Sequence, residues 1–449
     1  MHFAGIAGAG MSGLAQLFLR RGVAVTGCDS NPGSVSDLTR SGITVMTGHD
    51  PRHVESARAL VVTSAMPLDH PEIARARELG IAVIRRAEAL GEAVSAGKVV
   101  GIAGTHGKTT TTVMTTEALA SAGLDPTGIA GGRVRAWQGN LRYGGHEVFV
   151  VEADEYDRSF LSLAPTIAVV TNVEADHLDI YSDLADIRRA FSQYLRGAST
   201  IVLCADDYGA STLQIPTSAE VIRYGVMSKS ARLTVAARRT EGSRCVLEID
   251  YDGERLGDVL LRVPGLHNVL NALAAVASGL ALGATLEAMA PGLSGFTGVE
   301  RRFQLLGVER GVTVIDDYAH HPTEIRATLE AARAAFPGRR VIAAFQPHLY
   351  TRTRDFANEF GVELSKADAV YLTEIYPARE QPIEGVTAEL IEPAARAAGN
   401  EVRWRGERDA LADELARGLS PGDVVLTMGA GDITRTGPEL LDRLRAEDV

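Results

Sequence analysis

A chain of 449 residues, 45% apolar and 23% charged, has the make-up of an ordinary soluble globular protein and room for about two to four domains. Its net charge of −12 argues against a protein that coats nucleic acid through a basic surface. The three cysteines, Cys28, Cys204 and Cys245, lie far apart and form neither a disulfide framework nor a zinc pattern; two of them sit in apolar runs and read as buried thiols.

The chain opens "MHFAGIAGAGM", with no basic region before a long apolar stretch, so no signal peptide is expected. No run of about 18 apolar residues suggests a membrane span, and the default expectation is a cytoplasmic enzyme. Over the first 95 or so residues short apolar runs alternate with helical stretches. "HFAGIA", "VAVTGCD", "ALVVTSA" and "IAVIRR" read as strands; "MSGLAQLFLRRG" and "HPEIARARELG" read as helices. That alternation predicts a parallel sheet in a doubly wound, Rossmann-like domain over residues 1–96.

Its first strand runs into "GAGMSG", a full G-x-G-x-x-G of Gly8, Gly10 and Gly13 that opens a helix, with Asp29 about 20 residues on at the end of the next strand. Glycines there let the backbone approach a pyrophosphate at a helix N-terminus. The pattern does not select NAD over other nucleotide diphosphates, and a tight strand-to-helix turn with no ligand has the same spelling.

"SAGKVVGIAGTHGKTT" restarts the sequence of polar linker, buried strand, glycine-rich loop and helix. Against the P-loop template G-x-x-x-x-G-K-[ST], the first glycine should stand at Ile102, whereas the glycines are Gly101, Gly104 and Gly107. Gly104 and Gly107 still let N–H groups curl around an anion, Lys108 supplies a point charge and Thr109 a hydroxyl for Mg²⁺. A run of four threonines is a poor helix continuation, because β-branched side chains lose rotamer freedom there, unless the hydroxyls have a role. The strands "EVFVVEAD", "TIAVVTNV" and "STIVLCAD" follow. Two of them end in acids: Glu152, Asp154, Glu155 and Asp157, then Glu174, Asp176 and Asp179 beside His177. Like charges gathered at the P-loop edge call for a compensating cation, and Mg²⁺ suits carboxylates and phosphates; a solvated acidic loop is the plainer alternative.

From "RLTVAARRTEGSRCVLEIDYDGERLGDVLLRVPG" onward, period-2 alternation predicts a β-rich portion that completes a central P-loop domain, residues 97–299. "HNVLNALAAVASGLALG" then reads as a helix. Residues 300–449 form a third α/β unit, again Rossmann-like, whose strands "VTVIDDYAH", "RVIAAFQPH", "DAVYLTEIY" and "DVVLTMGAGD" end in polar residues. Ligands bind at such carboxyl ends. Asp317, Tyr318, His320, His321, His348 and Arg352 are therefore candidates, though Pro322, Thr323 and Glu324 show that part of this polarity is helix capping. Arg301 and Arg302 are candidates for the γ-phosphate, or for an interdomain salt bridge.

Taken together, "GTHGKTT", "GIAGAGMSGLA", "EADEYD", "TNVEADHLD", "HNVLNALAA", "DDYAHHPTE" and "FQPHLYTRT" occur in the order expected of the Mur ligase family, which the chain resembles over essentially its whole length, nearest to the alanine-adding members. The resemblance implies three domains: one for the UDP of a sugar nucleotide, one for ATP, one closing over an amino acid. It implies that ATP phosphorylates the lactyl carboxylate of UDP-N-acetylmuramate, and that L-alanine then attacks the acyl phosphate.

Residue by residue, it implies Gly8, Ala9, Gly10, Met11, Ser12, Asp29 and Ser64 for the UDP-sugar. For ATP it implies Gly104, Thr105, His106, Gly107, Lys108, Thr109 and Thr110, with Asn268 and Asn271 near adenine, Asp317 near ribose and Arg302 near the phosphates. Thr109 would hold one Mg²⁺, and Glu152 and His177 would ligate a second between the γ-phosphate and the carboxylate; Tyr318, His348 and Arg352 would surround L-alanine, with His348 a hypothesis for the base. Lys108, Glu152, His177, His348 and Arg352 form the catalytic set. Later-acting members carry a carbamylated lysine at a position that is Phe191 here, which favours the alanine-adding branch. A monomer or weak homodimer is expected, with no nucleic-acid or membrane partner. The alternatives are a ligase that recycles a murein tripeptide, an NAD-dependent oxidoreductase using "GAGMSG", and a nucleotide sensor without turnover.

Overall fold

The computed structural model describes residues 1–31, 35–241 and 244–446, with the backbone alone at 240 and 241. It is a three-domain α/β protein with one sheet in each domain. By contact density the chain separates into two compact units: residues 1–238 with 247–260 and 270–296, and residues 239–246 with 261–269 and 297–449.

The first sheet has five strands in the order Thr44–Thr47, Thr26–Asp29, His2–Ala4, Ala59–Val62 and Ala82–Arg85, all parallel. The expected strands are present; Thr44–Thr47 was not foreseen, because "TVMT" is short, half polar and at an edge. The helix Ala9–Arg20 packs on one face, where Phe3, Ile6, Met11 and Leu14 are buried. The helix Pro71–Glu78 covers the other face, over Ala4, Cys28, Leu60 and Val62.

The second sheet has ten strands. Its parallel centre orders Glu220–Tyr224, Thr200–Cys204, Ile167–Val170, Lys98–Ala103, Val148–Glu152 and Thr127–Val134. Gly139–Arg142 closes one edge antiparallel, and Leu233–Glu241, Arg244–Tyr251 and Glu254–Leu261 form the β-rich portion at the other. Residues 242 and 243 within that run lie outside the described residues.

In the third sheet Gln304–Glu309 pairs antiparallel with Val312–Asp317; Val424–Met428, Val341–Phe345, Ala369–Thr373 and Val402–Gly406 follow in parallel. Alternate residues of its buried strands feed two apolar layers, one under the helices Pro322–Ala335 and Tyr350–Leu364, the other under Arg408–Gly418 and Thr436–Ala446. Among the described residues no helix is long and apolar enough to cross a membrane.

Candidate active site

The strand Lys98–Ala103 is buried beyond its first residue and runs through Ile102, which is fully buried and cannot belong to a phosphate loop. Gly101 is a packing glycine, since a Cβ there would collide with the Tyr194 hydroxyl. The loop begins at Gly104, with φ of +139°, where a Cβ would strike Thr171 Oγ1. It ends at Gly107, with φ of +81°, where a Cβ would stand 2.6 Å from Asn271 Oδ1. Only glycine meets both demands at both positions.

The neighbouring strand end holds the loop in place. Thr105 N–H donates to the Asn172 carbonyl at 3.0 Å, His106 N–H to Asn172 Oδ1 at 2.7 Å, and Thr171 Oγ1 to the His106 carbonyl at 2.7 Å. The Glu174 N–H closes the arrangement on Thr105 Oγ1 at 2.9 Å. Two hydroxyls of the threonine run are engaged, Thr109 Oγ1 donating to Glu152 at 3.1 Å and Thr111 Oγ1 to Asn271 Oδ1 at 3.1 Å, while Thr112 Oγ1 is buried without a hydrogen-bond partner among the described residues. Asn271 thus lies against the phosphate loop.

Lys108, first residue of the helix Lys108–Ser121, folds back over the loop and donates to the carbonyls of Gly104 at 2.7 Å and Thr105 at 3.1 Å. Its ammonium also pairs with Glu155 at 2.8 Å, both side chains being nearly buried. Burial opposes its charge, but Glu155, Asp154 and Glu152 more than compensate and hold Lys108 above the ordinary lysine range. Burial pushes Glu155 upward while Lys108 pulls the other way.

Glu152 is also held above the usual carboxylate range by burial, although Lys108 and the Gly131 N–H at 2.5 Å both favour its ionised form. His177, in a left-handed conformation with φ of +53°, places Nε2 3.9 Å from Glu155 Oε1 and 3.8 Å from Asp176 Oδ2. The structure therefore gathers Lys108, Thr109, Glu152 and His177 around one edge. It adds Glu155, Thr171 and Asn172, which sequence reasoning did not assign to the site. Phe191 is fully buried against Phe160, with ring centroids 5.1 Å apart, and belongs to the core.

In the first domain Gly8 precedes the helix Ala9–Arg20, and the Met11 and Ser12 N–H groups are spent on the Gly8 carbonyl at 3.0 and 2.9 Å. The Met11 side chain is buried in the core, and Ser12 Oγ bonds the Ala9 carbonyl at 3.0 Å. Asp29 braces the glycine loop: its Oδ2 accepts from Ala7 N–H at 3.0 Å and its Oδ1 from Asn31 N–H at 2.9 Å. The Arg86 guanidinium lies over Gly10, 3.0 Å from where a Cβ would be. A cleft of about 180 Å³ at this end is lined by Ser64, Arg85, Arg86, Glu88, Asp157 and Arg158, among others, a basic setting suited to an anionic ligand.

In the second unit Asp317 ends the strand Val312–Asp317 and accepts N–H bonds from Phe303 at 2.7 Å and Ala319 at 2.8 Å. Burial pushes its carboxyl up to about 6. Arg301 and Arg302 stack on the Tyr318 ring at 4.8 and 5.1 Å, and Arg302 also reaches Glu324 at 3.3 Å. His321 caps the helix Pro322–Ala335, accepting from Thr323 N–H. His348 stacks on Tyr376 and meets the buried Arg352 at 3.4 Å, with His320 6.2 Å away between ring centroids. The Asn268 amide donates to the Pro264 carbonyl at 2.6 Å.

Comparison with known proteins agrees with the three-domain fold. Three family models match in order: the Mur ligase family, catalytic domain over residues 1–98, the Mur ligase middle domain over 102–279, and the Mur ligase, glutamate ligase domain over 301–431. UDP-N-acetylmuramate–L-alanine ligase of Salinibacter ruber is 45% identical across 99% of this chain and 94% of its own length; that of Streptomyces avermitilis is 44% identical across 99% and 97%. Among solved structures, UDP-N-acetylmuramate-alanine ligase MurC of Thermotoga maritima superposes with a TM-score of 0.84 at 29% identity, covering 99% of each chain. A murein peptide ligase of Psychrobacter arcticus superposes with a TM-score of 0.72 at 26% identity, covering 99% and 98%. With its three domains matched in order and its strand-end chemistry built around a variant P-loop, the chain belongs to the Mur ligase family.

Proposed function

We propose that this enzyme joins L-alanine to the lactyl carboxylate of UDP-N-acetylmuramate, a step of peptidoglycan synthesis, with cleavage of ATP to ADP and phosphate. The observation that carries this reading is the likeness, at 44–45% identity over 99% of the chain, to ligases named for this pair of substrates. The murein peptide ligase is the poorer fit, with the lower TM-score and identity of the two solved structures compared. ATP and a nucleotide sugar are both intracellular metabolites, so the reaction belongs in the cytoplasm.

A carboxylate oxygen of the sugar nucleotide attacks the γ-phosphorus and ADP leaves; the alanine nitrogen attacks the acyl carbon and phosphate leaves. The loop N–H groups between Gly104 and Gly107 cradle phosphate oxygens, and Lys108 turns from Glu155 toward the charge that develops on the transferring group. Thr109 Oγ1 and Glu152 Oε1, 3.1 Å apart beside Lys108, are hard oxygen donors, and the cost of burying Glu152 is what a cation offsets; the pair fits Mg²⁺. Bound there with His177 nearby, Mg²⁺ would neutralise charge between two anionic reactants.

In the first domain Arg86 and the helix start at Gly8 take the pyrophosphate. In the third, the Arg352 guanidinium takes the alanine carboxylate, Tyr318 borders the amino acid and His348 receives the ammonium proton. Asp317 serves the ribose, Arg302 the phosphates, and Asn268 and Asn271 the adenine side.

Phosphate release measured while titrating UDP-N-acetylmuramate tests the whole reading. Release that requires L-alanine supports it. Release that requires the tripeptide instead, a nicotinamide absorbance change without ADP, or ATP binding without turnover each overturns it in favour of a named rival.

A further inference from the structure

The face of the first sheet turned away from the glycine-loop helix holds an unusual group of side chains. Glu72, fully buried near the start of the helix Pro71–Glu78, stands among the imidazoles of His2, His49, His53 and His70 and the thiol of Cys28. The apolar cluster on this face includes Val54, Leu60, Val62 and Ile73. Burying so many polar groups on a core face is costly unless each finds a strong partner.

The set is compact enough for a metal shell, with the hydrogen-bonded pairs opening by a few tenths of an ångström to admit an ion. One ligand atom from each of His2, Cys28, His53 and Glu72 lies within 4.8 Å of the other three. Cys28 Sγ is 3.4 Å from His2 Nε2 and 3.1 Å from Glu72 Oε1, and His53 Nδ1 is 3.1 Å from the same oxygen. Zinc bonds of about 2.0–2.3 Å in a tetrahedron put neighbouring ligand atoms about 3.3–3.7 Å apart.

The surroundings also orient the ligands. His2 Nδ1 is engaged by Thr26 Oγ1 at 2.9 Å, which turns Nε2 toward Cys28. His49 Nδ1 holds the second Glu72 oxygen at 3.1 Å. Such outer contacts are typical of true metal centres. A thiolate, two imidazoles and one carboxylate select zinc over magnesium, and a closed set of four marks a structural site.

We infer that His2, Cys28, His53 and Glu72 form a structural site for a zinc-type divalent transition ion, separate from the P-loop edge. The ion ties two strands, the 3₁₀ turn Pro51–Val54 and the helix Pro71–Glu78 into one piece. His49, His53 and His70 are partly exposed and give it a route in from solvent.

Full-length protein stripped with chelator and titrated with Co²⁺ is the test. The expected result is a thiolate-to-cobalt charge-transfer absorption that saturates at one Co²⁺ per chain, is displaced by Zn²⁺ and persists in Glu152→Gln. It should vanish in Cys28→Ser, and His53→Gln should weaken Co²⁺ at least about tenfold. His53→Gln also serves where Cys28→Ser fails to fold, with circular dichroism in chelator confirming that the tested proteins are folded. Absence of the absorption in the wild type, or unaltered Co²⁺ affinity in a folded His53→Gln protein, overturns the site and leaves a metal-free hydrogen-bonded network around Glu72.

Discussion

The two glycine loops of this chain use one backbone device for different ends. Both follow a buried strand, both open a helix, and both sit at the carboxyl edge of a parallel sheet. The loop at Gly104–Gly107 has two glycines at positive φ, is clamped by Thr171, Asn172 and Asn271, and carries Lys108 against Glu155. The loop at Gly8–Gly13 has none of its three motif glycines at positive φ, is braced by Asp29, and has Arg86 leaning over it from a flexible side chain. The first arrangement is rigid and charged at its centre, as phosphoryl transfer requires. The second suits the role proposed for it, holding an anionic ligand in place without reacting with it. The glycine spelling announces the shared device, while the neighbouring strand ends decide the chemistry.

The largest expected effect lies at the centre of the rigid loop. Lys108→Met should lower phosphate release by about 10³-fold, as removal of a transition-state donor does. It should also weaken the fold by about 3 kcal/mol in denaturant, because buried Glu155 loses its partner. The double variant Lys108→Met/Glu155→Gln should regain that stability and none of the activity. A Lys108→Met enzyme that still turns over removes the functional contrast between the loops.

Next in size is the backbone itself. Gly104→Ala should cost about 1–3 kcal/mol and most of the ATP affinity, since it forces a left-handed alanine onto Thr171. Gly101→Ala should destabilise through Tyr194 yet leave the KM for ATP unchanged in the fraction that folds. Equal losses of ATP affinity in both variants would place Gly101 in the loop after all.

Much of this was legible in the sequence, and the omissions have physical causes. Buried strands ending in acids and histidines located the sheets and their binding edges, because parallel strands covered on both faces are written as apolar runs. The strands Thr44–Thr47, Thr127–Val134, Gly139–Arg142, Glu220–Tyr224, Gln304–Glu309 and Val402–Gly406 were missed. The first is half polar and the second glycine-rich, so neither shows a clean period. At the site, Lys108, Thr109, Glu152 and His177 followed from motif spelling. Glu155 did not, because "EADEYD" offers four acids and the choice depends on how the chain turns after Glu152, through Asp157 and Arg158 at positive φ. Thr171 and Asn172 become loop partners only once the strand Ile167–Val170 is known to lie beside Lys98–Ala103. The group around Glu72 was invisible for the same reason: positions 2, 28, 53 and 72 share no spacing and meet only in the folded sheet.

On the softer loop the effects should be smaller and confined to the sugar nucleotide. Gly10→Ala needs only a shift of the Arg86 side chain, so the KM for UDP-N-acetylmuramate should rise by about tenfold, or about 1.4 kcal/mol, with the KM for ATP unchanged.

Asp29 gives the finest test. The dinucleotide fingerprint assigns such a residue to ribose hydroxyls, yet here both of its oxygens are already bonded to backbone N–H groups, of Ala7 and Asn31. If bracing the loop is its role, Asp29→Asn keeps one acceptor, loses one bond worth about 1 kcal/mol, and raises the KM for the sugar nucleotide by about fivefold. If its carboxylate instead turns to hold the ribose, the same variant loses a charge-assisted contact made only in the complex. The KM should then rise well beyond tenfold while the melting temperature of the free protein stays at the wild-type value. The bracing role predicts the opposite ordering, a lowered melting temperature with a modest change in KM, so the two measurements on one variant decide between them.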